Sequence, residues 1–556
     1  MLNKVALGRL KPSTLKFPQI IAQALSASSR SKTPVDLPVR TIPPSLVNEI
    51  HVDWDKLEVY GPADALSRPA FREWIANLLE VASPPIILKP VPTALTEVAN
   101  RRRDSLTATI NSIAPLLRGT ASFDRMMTHI QEAAAFNSSD LHLHRVAESA
   151  TIQFRLDGSI VDTWELTTAE ADSLAISTMQ GIATDRTQGQ FNFSEFQDAK
   201  VEGGVLDGTG VLNIRVVRGP CHPVQSGGHY MSLRLHLDKN VTRTAALPAH
   251  VMVKAPRIPT EPVMFEKMGF TKDQISKIHQ IITAPHGMVL NTGPTGSGKT
   301  TTQYESCKLK KQIDPGRRLI TIEQPVEIPM FWGVQLSATD ETFDRIMACV
   351  LRSDPDDIVV QEIQKLKVAR IAMQCALSGH FVNSTMHVNH PFAYMDRFES
   401  FDSQEFSYKS IVEKNIIRGV IAQRLIPVLC PHCSVPWTRD DPRIDEVDKA
   451  SLANWGDVRD LRQIGPGCAH CRQGRIGQKA VAEVVTVDSA LNRDFLELGV
   501  DRAKTRYRQR ENSDRPMIVS GLQGAFDGQF DPRDIRQKIG ILPVSPDHVM
   551  RGDFEE

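Results

Sequence analysis

The sequence predicts a multidomain α/β protein whose C-terminal half is built on a parallel sheet, and three observations predict it. From Val263 to about Val485, strand-like runs at 288–291, 319–322, 357–361 and 381–385 alternate with helical spans, the pattern of a parallel sheet. The first run leads into Gly293-Pro294-Thr295-Gly296-Ser297-Gly298-Lys299-Thr300, with Thr301 and Thr302 after it. Two C-x-x-C pairs lie toward the end of the block. A chain of 556 residues exceeds a single core and implies three or four domains.

Residues 1–45 carry many Pro, Ser and Lys residues without periodicity and are expected to be a tail. Between Val47 and about Pro92, short apolar runs such as Pro85-Ile86-Ile87-Leu88 alternate with a helix-like segment, Ala70 to Val81. These residues, about 46–115, form a small α/β module, and a partner-docking role is expected of it. The stretch Thr93 to Leu117 reads as helical. A second α/β module spans about 116–240, with a helix (Met126 to Ala135) before strand-like runs at 141–143, 151–155, 212–217 and 231–235. Asp157-Gly158 after the second run signals a hairpin. A proline-bearing stretch, about 241–262, reads as a linker. The larger α/β block runs over 263–500, with a cysteine subdomain at about 425–480. Residues 501–556 are polar and mixed in charge, a second tail with one helix-like stretch around Pro532 to Ile539. No internal repeat is visible.

The glycines of 293–300 let backbone N–H groups turn inward around phosphates, Lys299 supplies a point charge, and Thr300 offers a hydroxyl to Mg²⁺. The helix that follows adds its positive dipole end. Hydrolysis needs more: an acid to orient water and a second to help hold the metal. Glu323 and Glu327 follow the strand 319–322, Glu362 follows 357–361, and His387 lies just past 381–385. Open parallel sheets bind ligands beyond these strand ends. A single acid there is more often a cap or a surface residue, but three such ends follow one phosphate loop in order.

Cys430 and Cys433, then Cys468 and Cys471, are two pairs separated by 34 residues. Each pair can grip one side of a tetrahedral ion, so together they read as a closed structural Zn²⁺ site. The alternatives are a redox pair or unliganded thiols, and the gap is longer than compact zinc ribbons use. His432 and His470 are bystanders, since four thiolates already satisfy the metal. The remaining cysteines, Cys221, Cys307, Cys349 and Cys375, are dispersed and read as buried thiols.

Sixty-five basic residues balance sixty-five acidic ones, so the excess positive charge of a dedicated nucleic-acid binder is missing. No apolar run reaches about 18 residues, which argues against a membrane-spanning helix. Charges and prolines interrupt the first thirty or so residues, so an export signal is not expected.

These motifs resemble those of the hexameric secretion ATPases of type IV pilus assembly and type II secretion, over about Ser139 to Val485. Pro285-His286-Gly287-Met288 and the loop after it are similar to that family's Walker A region. Thr321 to Glu327 is similar to its aspartate box, and Leu351 through Glu362 to its Walker B. Ser378-Gly379-His380 with Ser384-Thr385-Met386-His387 resembles its histidine box, and Ile421-Ala422-Gln423-Arg424-Leu425 matches as well.

The resemblance implies a PAS-like α/β domain followed by a RecA-like ATPase domain, with ATP, Mg²⁺ and structural Zn²⁺. Lys299 and Thr300 would bind phosphate and Mg²⁺, Glu362 would help place the metal, Glu323 would be the general base, and His387 would contact the γ-phosphate. Arg155, Arg215 and Arg234 would be the arginines that the PAS-like domain supplies to the nucleotide; the plainer reading of each is a surface strand arginine. It further implies a homohexamer, cytoplasmic and peripheral to the inner membrane, reaching a platform protein and other pilus or secretion components without a direct nucleic-acid partner. The tetracysteine element is typical of members that extend pili or drive secretion.

The chain departs from the family pattern at Gln324, Gln361, Gln364-Lys365, Val388-Asn389-His390 and Gln153. Expected is a Mg²⁺-dependent ATPase that drives pilin or pseudopilin polymerisation. The alternatives are a nucleic-acid translocase, or a nucleotide-binding assembly subunit with little hydrolysis.

Overall fold

The computed structural model describes residues 42–546 apart from 44, 47–48, 81–85, 99–100, 102–119, 187–190, 242–250, 440–441 and 443. Nearly all of the expected N-terminal tail, most of the expected helix Thr93 to Leu117, and part of the expected linker lie outside the described residues. The described residues up to Lys254, with Arg352–Asp354, form one compact unit, and those from Ala255 on form another.

The first unit begins with a three-stranded sheet, β1 (His51–Asp53), β2 (Glu58–Gly61) and β3 (Lys89–Pro92). The helix Pro69–Glu80 buries Phe71, Trp74 and Leu78, one face at helical spacing, in a core with Val52 and Val59. The strand falls just after the expected apolar run, while Ile86 and Leu88 of that run join the core.

Its second sheet has seven antiparallel strands in the order β6-β5-β4-β10-β9-β8-β7. They are β4 (Asp140–Val146), β5 (Ser149–Leu156), β6 (Ser159–Leu166), β7 (Asp185–Arg186), β8 (Gln197–Glu202), β9 (Val211–Pro220) and β10 (His229–Leu237). Asp157 and Gly158 join β5 to β6 with φ of 49° and 83°, the left-handed pair a tight hairpin requires. The helices Ala121–Ala135 and Thr168–Ile176 pack on this sheet through Met126, Ile130, Ala171 and Leu174 against Leu141, Ile152 and Leu233. Thr167 and Glu170 close a reciprocal capping box on the second helix.

The second unit holds a seven-stranded sheet ordered β13-β12-β14-β15-β11-β16-β19. These are β11 (Gly287–Thr292), β12 (Leu319–Glu323), β13 (Gly333–Ser337), β14 (Asp357–Val360), β15 (Phe381–Met386), β16 (Ile417–Leu429) and β19 (Arg475–Thr486). All neighbours pair parallel except β16 with β19. The four expected strands are present with ends shifted by a residue or so. Three were not read from sequence: β13 is short and carries a buried Gln335, and β16 and β19 mix apolar residues with Gly, Gln, Arg and Lys because their neighbours satisfy those groups.

The residues after Asp501 correct the expectation of a polar tail. The helical stretch Ser489–Arg508, broken at Gly499 where φ is 75°, reaches into them, and the helices Met517–Phe526 and Pro532–Lys538 follow. Met517, Ile518, Leu522, Ala525, Phe530 and Ile535 share a core with Ile426 and Val428 of β16, Trp437 and Leu461. The helix Met517–Phe526 is apolar and, apart from Gln523, buried or half-buried, while the residues on either side of it carry the polar character of the segment. The stretch read as linker is also engaged: Lys254 bridges Asp162 by two backbone hydrogen bonds of 2.9 Å. Gln312 donates to the carbonyls of Pro259 and Glu261 at 2.9 Å.

Candidate functional site

Strands β11, β12, β14 and β15 run parallel, so their C-terminal ends share one edge of the sheet, where the phosphate loop, Glu323, Glu362 and His387 follow them. The helix Lys299–Ile313 starts directly from the loop, with Gly298 at its N-cap and no side chain capping it. Its first N–H groups therefore point at the loop's cradle, an anion-binding arrangement. Gly293 has φ of 145°, and a Cβ there would lie 2.5 Å from the Gln423 carbonyl oxygen and 2.6 Å from Ser297 Oγ. At Gly296 a Cβ would meet nothing within 4 Å, so the loop is closed toward the sheet and open outward. The Ser297 hydroxyl oxygen is buried with no hydrogen-bond partner. A buried cradle of this kind fits a polyphosphate.

Lys299 is 8% exposed, and its ammonium donates to the carbonyls of Gly293 (2.9 Å) and Pro294 (3.0 Å). Burial lowers its pKa below the ordinary lysine value, against the partial restoring effect of Glu362. His387 Nε2 is 3.3 Å from this ammonium and 2.8 Å from a Glu362 oxygen. One nitrogen cannot accept from the lysine and donate to the acid at once, so whether Nε2 carries a hydrogen selects its partner. Gln364, one of the departures, donates to the same Glu362 oxygen at 2.9 Å.

A cleft of about 430 Å³ is lined by Thr300, Gln303, Glu323, Glu327, Gln361, Glu362 and Thr385, with Asp340 and Lys365 beside them. Asp340 and Lys365 form an ion pair of 2.6 Å, so the lysine of the Gln364-Lys365 departure has a carboxylate to face. The Glu323 carboxylate accepts from Thr321 Oγ1 (2.5 Å) and Gln335 Nε2 (3.0 Å). Burial raises its pKa despite these donors, and the charge of Glu327 adds to the rise. A carboxyl held this way can take a proton nearer neutral pH than an exposed one. Thr300 and Glu362 line one cleft with hard oxygen donors, the set Mg²⁺ takes beside phosphate oxygens.

The three arginine candidates lie in one sheet of the first unit, Arg215 and Arg234 on the adjacent strands β9 and β10 and Arg155 on β5, with β4 between β5 and β10. The Arg155 guanidinium bonds the Asp354 carboxylate, with further contacts to the Asp354 carbonyl (3.2 Å) and the Gly158 carbonyl (2.7 Å). Arg234 donates to Asp140 at 3.0 Å and to Asp354 at 3.1 Å. Arg215 stands directly across from Arg234 in the β9–β10 pairing and is exposed. The structure thus joins Arg155 and Arg234 around one carboxylate. His142 Nε2 completes that group at 3.0 Å from Asp354.

The four paired cysteines are brought together with all sulfurs within 4.8 Å of one another. Cys430–Cys468, Cys433–Cys471 and Cys468–Cys471 are 3.8, 3.7 and 3.7 Å apart. A tetrahedron with metal–sulfur bonds of about 2.3 Å has edges of about 3.8 Å, whereas a disulfide would hold its sulfurs at about 2.05 Å. The spacing fits a tetrahedral ion, and the thiolate set fits Zn²⁺. Cys221, Cys307, Cys349 and Cys375 are buried thiols; burial pushes those of Cys307 and Cys375 up to about 12.

Two residues of this site were not assigned a role from sequence. Gln335 holds Glu323, and Gln423 reaches from β16 to donate to the Ser297 carbonyl at 2.6 Å and accept from Thr302 Oγ1 at 2.7 Å. Both are glutamines inside strands, and a polar residue in an otherwise apolar strand was the available signal.

Residues 227–537, more than half of the chain, match the family described as type II/IV secretion system protein. The type II secretion system ATPase E of Vibrio cholerae is 30% identical over 65% of this chain and 64% of its own length. The type II secretion system protein E of Pseudomonas aeruginosa is 31% identical over 64% of each. The type IV pilus assembly ATPase TfpB of Acinetobacter baylyi is 28% identical over 75% of this chain and 64% of its own. The chain therefore spans a little under two thirds of the length of these relatives. A solved structure of the pilus retraction motor PilT with bound ADP is 20% identical over 76% of this chain and 96% of its own, with a TM-score of 0.36. On the extent of the family match, joined to the phosphate loop and the acids of one sheet edge, this chain belongs to the type II/IV secretion system protein family.

Proposed function

We propose that this chain is the subunit of a Mg²⁺-dependent ATPase motor that drives pilin or pseudopilin polymerisation. The carrying observation is that Thr300, Glu323 and Glu362 line one cleft within a single unit, while His387 links Glu362 to Lys299 of the phosphate loop. Lys299 and the N–H groups of the loop hold the phosphates, with Gly293 to Thr301 forming the cradle. Thr300 and Glu362 would hold Mg²⁺, which would supply charge neutralisation beside the phosphates. Glu323 orients a water toward the γ-phosphorus; the bond to the ADP oxygen breaks, and the water's proton passes to the carboxylate and then to solvent. His387 faces the γ-phosphate side of Lys299. Arg155, Arg215 and Arg234 are the candidates for neutralising charge that develops in the transition state.

The names of the relatives support a place in a secretion or pilus machine, and the resemblance of the motifs carries the rest of the reading: a homohexamer on the cytoplasmic side of an inner membrane, acting through a platform protein and other machine components. Among the described residues, no helix is long and apolar enough to cross a membrane. The four cysteines hold a structural Zn²⁺ that staples the subdomain around β17 (Val435–Pro436) and β18 (Arg462–Gln463).

A second reading, a nucleotide-binding assembly subunit with little hydrolysis, is favoured by Gln324, Gln361, Gln364 and Lys365, which line the same cleft. Turnover by the purified full chain with Mg²⁺ and ATP separates the two. The motor reading expects turnover that Glu323→Gln or Glu362→Gln abolishes while nucleotide is still bound. An unaltered chain that binds ATP without turnover decides for the second. Stimulation by DNA would instead favour a translocase.

A further inference from the structure

Gln335 lies on β13, which pairs in parallel with β12 so that Gln335 stands across from Thr321, two residues before Glu323. Its side chain is buried, 2% exposed, and its hydrogen-bonding groups are committed. The amide nitrogen donates to Glu323 Oε1 at 3.0 Å and to the Ile328 carbonyl at 3.0 Å. The amide oxygen accepts from the Met330 N–H at 2.6 Å. One side chain therefore ties the end of β12 to the 324–332 loop, which carries Glu327.

We propose that Gln335 is a positioning residue that fixes the Glu323 carboxylate for its work on the attacking water, a role that rests on Glu323 being the general base. The physical case is that Glu323 ends a strand beside an open cleft, where a glutamate has several rotamers within reach. Two side-chain donors hold it beside the Glu327 backbone N–H: the Thr321 hydroxyl, which can rotate away, and the Gln335 amide, which cannot because both its ends are bound. Both side-chain donors meet Oε1, and fixing the carboxylate there is worth about one to two powers of ten in rate, in the range positioned groups supply. Gln335 also stabilises the charged form, because an N–H donor to a carboxylate favours ionisation.

The groups facing Glu323 fix the expected direction with pH. Glu327 on its own loop, Glu362 beyond β14 and Asp340 before the helix Phe343–Val350 are acidic; Lys365 at the start of the helix Leu366–Leu377 is the cation of this cleft wall. Cys307, on the helix behind the loop, is held neutral by burial. With three acids around it and burial against it, Glu323 loses a compensating donor when Gln335 is removed, and its carboxyl rises further.

The test is a kcat and KM series across pH on the full chain with Gln335→Leu, Gln335→Glu and Glu323→Gln. Gln335→Leu is expected to lower kcat about tenfold or more, leave KM for ATP within about twofold, and move the acid limb of the kcat profile to higher pH. Gln335→Glu keeps the acceptor for Met330 and loses the donors; it is expected to move that limb further and serves where the leucine variant fails to fold. In a Glu323→Gln background, Gln335→Leu is expected to add no further loss. An unmoved acid limb with normal kcat, an equal loss of nucleotide affinity, or losses that multiply would each overturn the proposal. Full turnover by Glu323→Gln alone would overturn the general-base reading itself, a separate result.

Discussion

Gln423 donates from its buried amide to the Ser297 carbonyl at 2.6 Å, so a strand outside the phosphate loop holds the loop's shape. The same amide oxygen accepts from Thr302 in the first turn of the helix Lys299–Ile313, and the Gln423 backbone carbonyl fills the space a Cβ on Gly293 would need. Gln423→Ala removes both hydrogen bonds and strands a buried carbonyl and hydroxyl, at about 1–3 kcal/mol each. Affinity for ADP is expected to fall on the order of tenfold or more, with zinc content unchanged. Equilibrium titration with a fluorescent ADP analogue measures it, and unchanged affinity would remove Gln423 from the site.

Lys299 gives a pH dependence with a definite sign. Burial holds its pKa below the usual 10.5 in the free protein, and a bound polyphosphate restores it by direct charge interaction. Above the lowered value, binding must take up a proton, so affinity for ADP is expected to weaken as pH rises from that lowered value toward the ordinary lysine value of 10.5. Calorimetry in buffers of different ionisation enthalpy reads the uptake directly. Lys299→Gln is expected to bind weakly at every pH and to show no uptake.

Much of this site was legible because its chemistry is local in sequence. The phosphate loop needs its glycines and lysine consecutively, and β12, β14 and β15 each run straight into Glu323, Glu362 and His387. What was not legible depends on non-neighbours. Gln335 and Gln423 matter through strands 12 and 126 residues from Glu323 and Ser297. Asp354 joins Arg155 across 199 residues of sequence. The C-terminal helices looked like a tail because their apolar residues make a core with residues distant in sequence, such as Ile426, Val428 and Leu461.

The cysteine cluster predicts a stoichiometry. Native purification is expected to yield one zinc per chain, measured by elemental analysis, and less than half of one would remove the site. Chelation or Cys433→Ser is expected to lower the melting temperature and expose the core shared by Trp437, Leu461, Leu522 and Phe530, since metal binding free energy is folding free energy. The phosphate loop, more than 100 residues earlier in the chain, is expected to keep its nucleotide affinity after mild chelation. Loss of that affinity in step with the metal would show that the two are not independent.

Asp354 carries the last prediction. Its carboxylate meets His142 at 3.0 Å, Arg234 at 3.1 Å and Arg155, at 11% side-chain exposure. Burial alone would raise its pKa, but the hydrogen bond and charge of His142 and the charge of Arg155 together hold it well below the ordinary carboxylate range. Its backbone has φ of 57°, a left-handed conformation that asparagine also adopts readily, so Asp354→Asn removes the charge with little backbone strain. The variant leaves Arg155, 7% exposed, without its counter-ion, and a loss of about 3–5 kcal/mol is expected by analogy with broken buried pairs. A carboxyl depressed on folding stabilises above its unfolded pKa of about 3.9 and loses that contribution as pH falls through its lower folded value. Denaturant midpoints of the unaltered chain and Asp354→Asn are therefore expected to differ by a constant amount above about pH 5 and to converge below about pH 4. Equal midpoints at neutral pH would mean that the arginines are held in place without Asp354.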